Sequence, residues 1–284
     1  MTALADWLWQ FRDDRRRTAK RLPQLQAADI VFASHAKSGR TWLRVLISHV
    51  WHLTRGMPEK ALLDFDNFHT LDQAIPKVFF TSDLNEPTPI RKRLPAIVAG
   101  KKLLLMVRDP RDVAVSYFFH HAKRSNERVH ARLGMPKDLS AVELSAFVMA
   151  EGYGLPKVVD FMNRWERLAR DRADAMLVRY EDLRADTAPE LDRVMRFLGE
   201  AAPPEAIRSA VEFASFEALK EKERQRFFES ERIQARDTDD PDSFKVRRGK
   251  VGGYRDYFTA DEIAPLDHVV ATRLDPALGY HRAA

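Results

Sequence analysis

The sequence predicts an α/β protein with one central parallel sheet flanked by helices. Short, near-continuous apolar runs at residues 30–34, 102–107 and 176–178 alternate with longer amphipathic stretches. Strands joined through helices pair in parallel and are covered on both faces, which is why they read as unbroken apolar runs. No internal repeat, low-complexity tract or Gly/Ser linker divides the 284 residues, so a single domain spanning residues 1–284 is expected.

In chain order, residues 4–20 read as a leading amphipathic helix within an N-terminal lead-in of residues 1–28. A strand at residues 30–34 runs into a polar loop and a helix over residues 41–53. Residues 54–76, with Pro58 and several aromatics, read as irregular. A short strand follows at residues 77–81, then the strongly apolar strand at residues 102–107. Pro110 sits just inside a helix running to Arg124, where its missing N–H costs nothing. Val158, Phe161, Met162, Trp165 and Leu168 recur at helical spacing, residues 176–178 form a buried strand, and Leu191, Val194, Met195 and Leu198 mark another amphipathic helix. Residues 224–248 are rich in Arg, Glu and Asp. They read either as a mobile, ligand-ordered loop or as a plain surface loop.

The composition, 45% hydrophobic and 31% charged, is that of an ordinary soluble protein. No apolar run approaches the ~18 residues needed to span a bilayer. Asp6 interrupts the first apolar stretch and no basic residue precedes it, which makes a poor secretion signal. With no cysteine there is no disulfide framework and no thiolate metal site, and a cytoplasmic location is expected. The net charge of +5 would suit a nucleic acid, an anionic membrane or an anionic nucleotide. Because the basic residues fall partly within local motifs, the small anion is favoured and nucleic acid is not expected.

The most informative segment is V-F-A-S-H-A-K-S-G-R-T-W, Val31 to Trp42. An apolar strand breaks into a short loop holding Lys37, Ser38, Gly39 and Arg40, and a helix follows from Thr41. Unpaired backbone N–H groups, a helix dipole and one ammonium thereby converge on one point, an anion cradle. The lysine precedes the glycine, unlike the G-K-[ST] order of a Walker A loop.

This loop resembles the P-K-S-G-T-T-W signature of the PAPS-dependent sulfotransferase family, which binds the 5′-phosphosulfate end of 3′-phosphoadenosine 5′-phosphosulfate (PAPS). Ala36 replaces the family's proline and Arg40 its first threonine. A second match is L-L-L-M-V-R-D-P-R-D-V-A-V-S-Y, where Arg108 ends a strand and Ser116 lies early on the next helix. A guanidinium can grip phosphate bidentately and a hydroxyl can add one bond. The resemblance assigns both to the 3′-phosphate. Read alone, R-D-P-R-D is also a helix start capped by Asp109. The third match, R-R-G-K-V-G-G-Y, resembles R-K-G-x-x-G-D-W and implies Arg247, Arg248 and Gly249 as further 3′-phosphate ligands; Gly253 and Tyr254 depart from the Asp-Trp pair. Tyr180 in R-Y-E-D-L and Phe216 in A-S-F-E resemble the family's adenine-contacting aromatics, with Trp42 closing the other side of the base. The resemblance runs from about Ile30 to Thr259. It implies a P-loop-kinase-like α/β fold of about five parallel strands, PAPS as co-substrate, 3′-phosphoadenosine 5′-phosphate (PAP) as product and no metal.

On that resemblance Lys37 donates to the bridging oxygen as charge grows on the departing phosphate, and cationic groups do what Mg²⁺ does in kinases. The family's K-T-H histidine has no counterpart in V-F-F-T-S-D-L. Asp83 is the candidate general base, with His35, His69, His120 and His121 as rivals and an acceptor needing little base help as a third option. The acceptor is expected to be a hydroxyl or amine on a small molecule, lipid or glycan. Leu4, Trp7, Leu8 and Phe11, followed by five basic residues, make an amphipathic N-terminal helix that either touches an anionic membrane or packs on its own domain. A nucleotide kinase and a non-catalytic PAP-binding module are the other readings; no oligomeric state is implied.

Overall fold

The computed structural model describes residues 3–82, 86–230, 233–234, 244–245 and 248–281. Four strands, β1 (Ile30–Ser34), β2 (Val78–Thr81), β3 (Lys102–Val107) and β4 (Ala175–Arg179), form one sheet in the order β2-β1-β3-β4. All three pairings are parallel, with Phe32 opposite both Phe80 and Leu104, and Leu105 opposite Leu177. The parallel α/β architecture is as expected, with four strands among the described residues instead of about five. Beyond β4 the described chain is helical, because its apolar residues recur every three or four positions.

Successive strand residues point to opposite faces, and that alternation splits the core in two. Val31, Ala33, Leu103, Leu105 and Val107 are buried in one cluster. Ile30, Phe32, Leu104, Met106 and Val178 are buried in the other. The first cluster is covered by α3 (Thr88–Val98), α4 (Pro110–Arg124), α7 (Leu155–Ala169) and α12 (Ala260–Arg273); α5 (Glu127–Leu133) and α6 (Leu144–Met149) lie between α4 and α7 in sequence. The second is covered by α2 (Arg40–Arg55), α9 (Thr187–Leu198) and α10 (Pro204–Phe213). Two short helices, α8 (Tyr180–Ala185) and α11 (Phe216–Arg224), border the site described below.

The leading helix, α1 (Ala3–Ala27), runs past the expected end at Lys20 and carries Pro23 inside it. Its second half is held by tertiary contacts. Leu25 is fully buried, Arg21 Nε donates to Glu86 at 2.7 Å and Arg21 Nη2 to the Phe80 carbonyl at 2.7 Å. That half of α1 is therefore committed to its own domain. Of residues 54–76, Thr54 and Arg55 belong to the end of α2, and residues 56–76 do lack regular structure, yet they are fixed: Arg44 Nε donates to the Leu63 carbonyl at 2.7 Å, and Leu62, Leu63, Phe68 and Ile75 are buried. In the segment after α11, Phe228, Ile233 and Phe244 are buried anchors, which the charged composition concealed. Among the described residues no helix is long and apolar enough to cross a membrane.

Parallel pairing puts the carboxyl ends of all four strands on one edge, where ligands of open α/β sheets bind. Ser34 leads there into the loop with Lys37, Val107 into Arg108, Arg179 into Tyr180 and Thr81 into Ser82.

Candidate active site

The loop after β1 turns tightly, with Ser38 N donating to the His35 carbonyl at 3.3 Å. Lys37 has φ 75°, an uncommon conformation for a residue with a Cβ, and Gly39 has φ 98°. At Gly39 glycine is required twice over: a Cβ there would lie 2.7 Å from Cδ2 of Tyr180 and 2.8 Å from Cε of Met106. With no side chain at Gly39, α2 can start directly against the sheet edge, and its first N–H groups have no helical partners. Lys37, Gly39, Arg40, Thr41 and Trp42 line one cavity at this edge. Ser38 is buried and is not among the lining residues. Arg40 is tied down by donating through Nη1 to the Thr81 carbonyl at 3.0 Å.

Arg108 and Ser116 line the same cavity from β3 and α4. Helix α4 begins where Asp109 accepts from Arg111 N at 2.9 Å and Pro110 opens the first turn, so the capping reading of R-D-P-R-D is realised, and Arg108 beside it lies on the cavity wall. The Arg108 guanidinium lies 4.5 Å from the centre of the Tyr180 ring. Its Nη2 donates to Asp112 at 3.1 Å and to the Lys250 carbonyl at 2.9 Å. Its Nε is buried with no hydrogen-bond partner among the described residues.

The glycine-rich segment near the C-terminus closes the cavity with Arg248, Gly249, Lys250 and Gly253. Gly249 has φ 60° and approaches Phe216 so closely that a Cβ would sit 2.8 Å from the ring. Arg248 pairs with Asp256 at 2.5 Å and Lys250 pairs with the same carboxylate at 2.7 Å. Tyr254, where the family pattern has a tryptophan, is fully buried beneath Arg111, whose guanidinium is 4.8 Å from its ring centre. Tyr180, Trp42 and Phe216 also line the cavity; Trp42 and Tyr180 meet edge-to-face at 5.7 Å, and Trp42 Nε1 is anchored on the Ala214 carbonyl at 2.9 Å. Arg247 and Asp83 lie outside the described residues.

The four candidate histidines separate clearly. His35 and His69 commit Nδ1 to the carbonyls of Ala36 at 2.9 Å and Ile75 at 2.7 Å. His121 is buried against Tyr117, 4.3 Å between ring centres. Burial holds His35 neutral, down to about 4, and His121 down to about 3. His120 is the one of the four that lines the cavity, beside Ile233 and Lys245. Burial, followed by the charges of Lys37 and Lys245, holds its imidazole well below the ordinary histidine range, so it is neutral with a lone pair available.

Sequence reasoning missed Asp112, Arg184, Lys245 and Lys250, all of which line the cavity. Asp112 and Lys250 lie inside the second and third motifs, so their neighbours were the available signal. Arg184, which donates through Nε to the Gly249 carbonyl at 3.3 Å, carried no signal beyond its charge. Lys37, Arg40, Arg108, Arg184, Lys245, Arg248 and Lys250 share the cavity with one carboxylate among the described lining residues, Asp112. Such a surplus, with three aromatic rings beside it, suits a multiply charged anion carrying an aromatic base.

The sequence model of the sulfotransferase domain matches residues 27–276. The chain belongs to the sulfotransferase family. It is 26% identical over 271 residues to Sulfotransferase 1B1 of Mus musculus, covering 90% of this chain and 86% of that protein. Cytosolic sulfotransferase 16 of Arabidopsis thaliana is likewise 26% identical over 266 residues, covering 87% of this chain and 76% of its own. Among solved structures, a mouse sulfotransferase complexed with PAP is similar in fold with a TM-score of 0.58 and 19% identity, over 87% of this chain and 84% of that one. Retinol dehydratase in complex with retinol and PAP gives 0.60 at 19% identity, over 88% and 82%. At these identities the structural likeness concerns the fold. In this sulfotransferase the three sequence motifs meet in one cavity at the carboxyl edge of the sheet.

Proposed function

We propose that this sulfotransferase moves a sulfuryl group from PAPS to a hydroxyl or amine of a small-molecule, lipid or glycan acceptor. The observation that carries the reading is the convergence of the Lys37 loop, the Arg108 clamp and the Gly249 turn on one cavity. The residues there suit the donor. The partnerless Nε of Arg108 is aimed at no protein acceptor, and Gly249 leaves room beside Phe216 where a side chain would intrude.

In this reading the loop amides and Thr41 hold the 5′-phosphate. Arg108, Ser116 and Arg248, with Arg247 and Gly249, hold the 3′-phosphate, and Trp42, Tyr180 and Phe216 enclose the adenine. The Lys37 ammonium donates a hydrogen bond to the bridging oxygen, which takes the electron pair of the breaking S–O bond and leaves with the nucleotide. Sulfuryl transfer, like phosphoryl transfer, asks the protein for alignment and charge stabilisation above all. The acceptor's proton goes to Asp83, the second residue of the sequence after β2. A second reading, favoured by its place in the cavity wall, gives that proton to His120.

PAP should stabilise the protein far more than adenosine 5′-phosphate does, because only PAP engages the 3′-site. A ligand at 100 times its dissociation constant adds about 2.7 kcal/mol. The gain should shrink as salt rises. Arg108→Ala should lose most of the PAP-dependent shift, since it removes a charged donor at the 3′-site and leaves an anion unpaired. Thermal unfolding with each nucleotide checks this, and equal shifts for the two in the wild type would refute the 3′-site. Mg²⁺-dependent consumption of ATP would instead favour a kinase. Binding of PAP without turnover of PAPS on any alcohol, phenol or amine acceptor would leave only a binding module.

A further inference from the structure

A carboxylate beside an anion site is electrostatically unfavourable, so the presence of Asp112 in this cavity requires a reason. Its side chain is 2% exposed and accepts three hydrogen bonds. Arg108 Nη2 donates to Oδ2 at 3.1 Å, Gly252 N to Oδ2 at 2.9 Å and Tyr254 N to Oδ1 at 2.9 Å. One carboxylate on the first turn of α4 thus joins two parts of the chain that are far apart in sequence. One is the arginine at the end of β3; the other is the glycine-rich turn that carries Arg248, Gly249 and Lys250.

Arg108 Nη2 reinforces the connection by donating to the Lys250 carbonyl at 2.9 Å. The turn needs such an anchor. Gly249 and Gly252 both have positive φ, at 60° and 68°, so the segment bends sharply and offers its backbone N–H groups to a single acceptor. With Nη2 occupied by protein, the Arg108 guanidinium is locked in one orientation over Tyr180.

We propose that Asp112 is a positioning residue for 3′-phosphate selectivity, holding Arg108 and the 248–254 turn in mutual register so that both face one phosphate. The proposal rests on the reading of this cavity as a PAP site. It makes a prediction opposite in sign to simple charge. Neutralising a carboxylate in a cationic cavity should tighten any anion if only net charge counts. If Asp112 instead positions the clamp, Asp112→Asn should weaken PAP. An Asn side chain keeps one accepting oxygen for three donors and turns an N–H group toward one of them.

The experiment is calorimetric titration of wild type, Asp112→Asn and Asp112→Glu with PAP and with adenosine 5′-phosphate. Asp112→Asn is expected to lose roughly 10- to 100-fold in PAP affinity, the value of a charge-assisted hydrogen bond or two, while adenosine 5′-phosphate changes by less than about threefold. Asp112→Glu, which keeps the charge and displaces the carboxylate, is expected to lose PAP selectivity as well. In the Arg108→Ala background, Asp112→Asn should have little further effect on PAP, because the two residues act as a unit. PAP binding unchanged or tightened in Asp112→Asn would overturn the proposal. Equal loss of both nucleotides, or an unfolded protein in both variants, would also overturn it by assigning Asp112 a purely structural role. Should the wild type itself fail to prefer PAP over adenosine 5′-phosphate, the cavity reading fails first.

Discussion

Lys37→Ala should lower turnover by roughly 10²–10³-fold, the usual loss when one donor to a developing charge is removed. The loop explains why no other residue substitutes. Lys37 is fixed at φ 75° between His35 and Gly39, and α2 begins immediately afterwards. Arg40, the next cation along, is engaged with the Thr81 carbonyl at 3.0 Å. PAP affinity should fall much less than turnover, because the loop amides, Arg108 and Arg248 still bind the ground state. The check is kcat from PAPS turnover alongside calorimetric PAP affinity for the same variant. Near-normal turnover with weakened PAP would make Lys37 a ground-state anchor.

The second large effect concerns the acceptor's proton. Asp83→Asn should reduce transfer to an aliphatic alcohol by roughly 10²–10⁴-fold, the range for losing a general base, while PAP affinity stays near normal. Transfer to 4-nitrophenol, already ionised near neutral pH, should hardly change, since no proton has to be removed. The alternative assignment predicts the same pattern for His120→Gln. His120 is kept neutral first by burial and then by Lys37 and Lys245, and a bound polyanion offsets those two charges and raises its basicity. Acceptors of graded acidity, tested with both variants, identify the base by which one shows a loss that grows as the acceptor becomes less acidic. Equal loss for all acceptors in both variants would exclude both residues as the base.

Much of this protein was legible before any coordinates. Strand β3 and helix α4 fall where the apolar run and Pro110 place them. Helix α12 was missed although Thr259 and Glu262 form a capping box, a signal present in the sequence and obscured by Pro265 inside the helix. Helix α3 was missed for a related reason, since Pro95 argues locally against a helix that burial of Ile90, Leu94 and Val98 nevertheless stabilises. Pro23 likewise ended the sequence-based α1 too early, and the Arg21 contacts to Glu86 and Phe80 explain why the helix continues.

The sequence by itself determined the local features of the three motifs. Loop length, the Lys37-Gly39 order and the Arg108-to-Ser116 spacing are local properties, set by backbone geometry over a turn or two of chain. Only the tertiary structure decided what faces what. It brought Arg108 to Lys250 across 142 residues at 2.9 Å, buried Ser38 while leaving Thr41 on the cavity wall, and put His120 on that wall while His35, His69 and His121 face elsewhere. It also made Asp112 the acceptor that ties β3 to the C-terminal turn. Those relations depend on how parallel strands and their crossovers stack, and no short window of sequence contains the contacts that fix them.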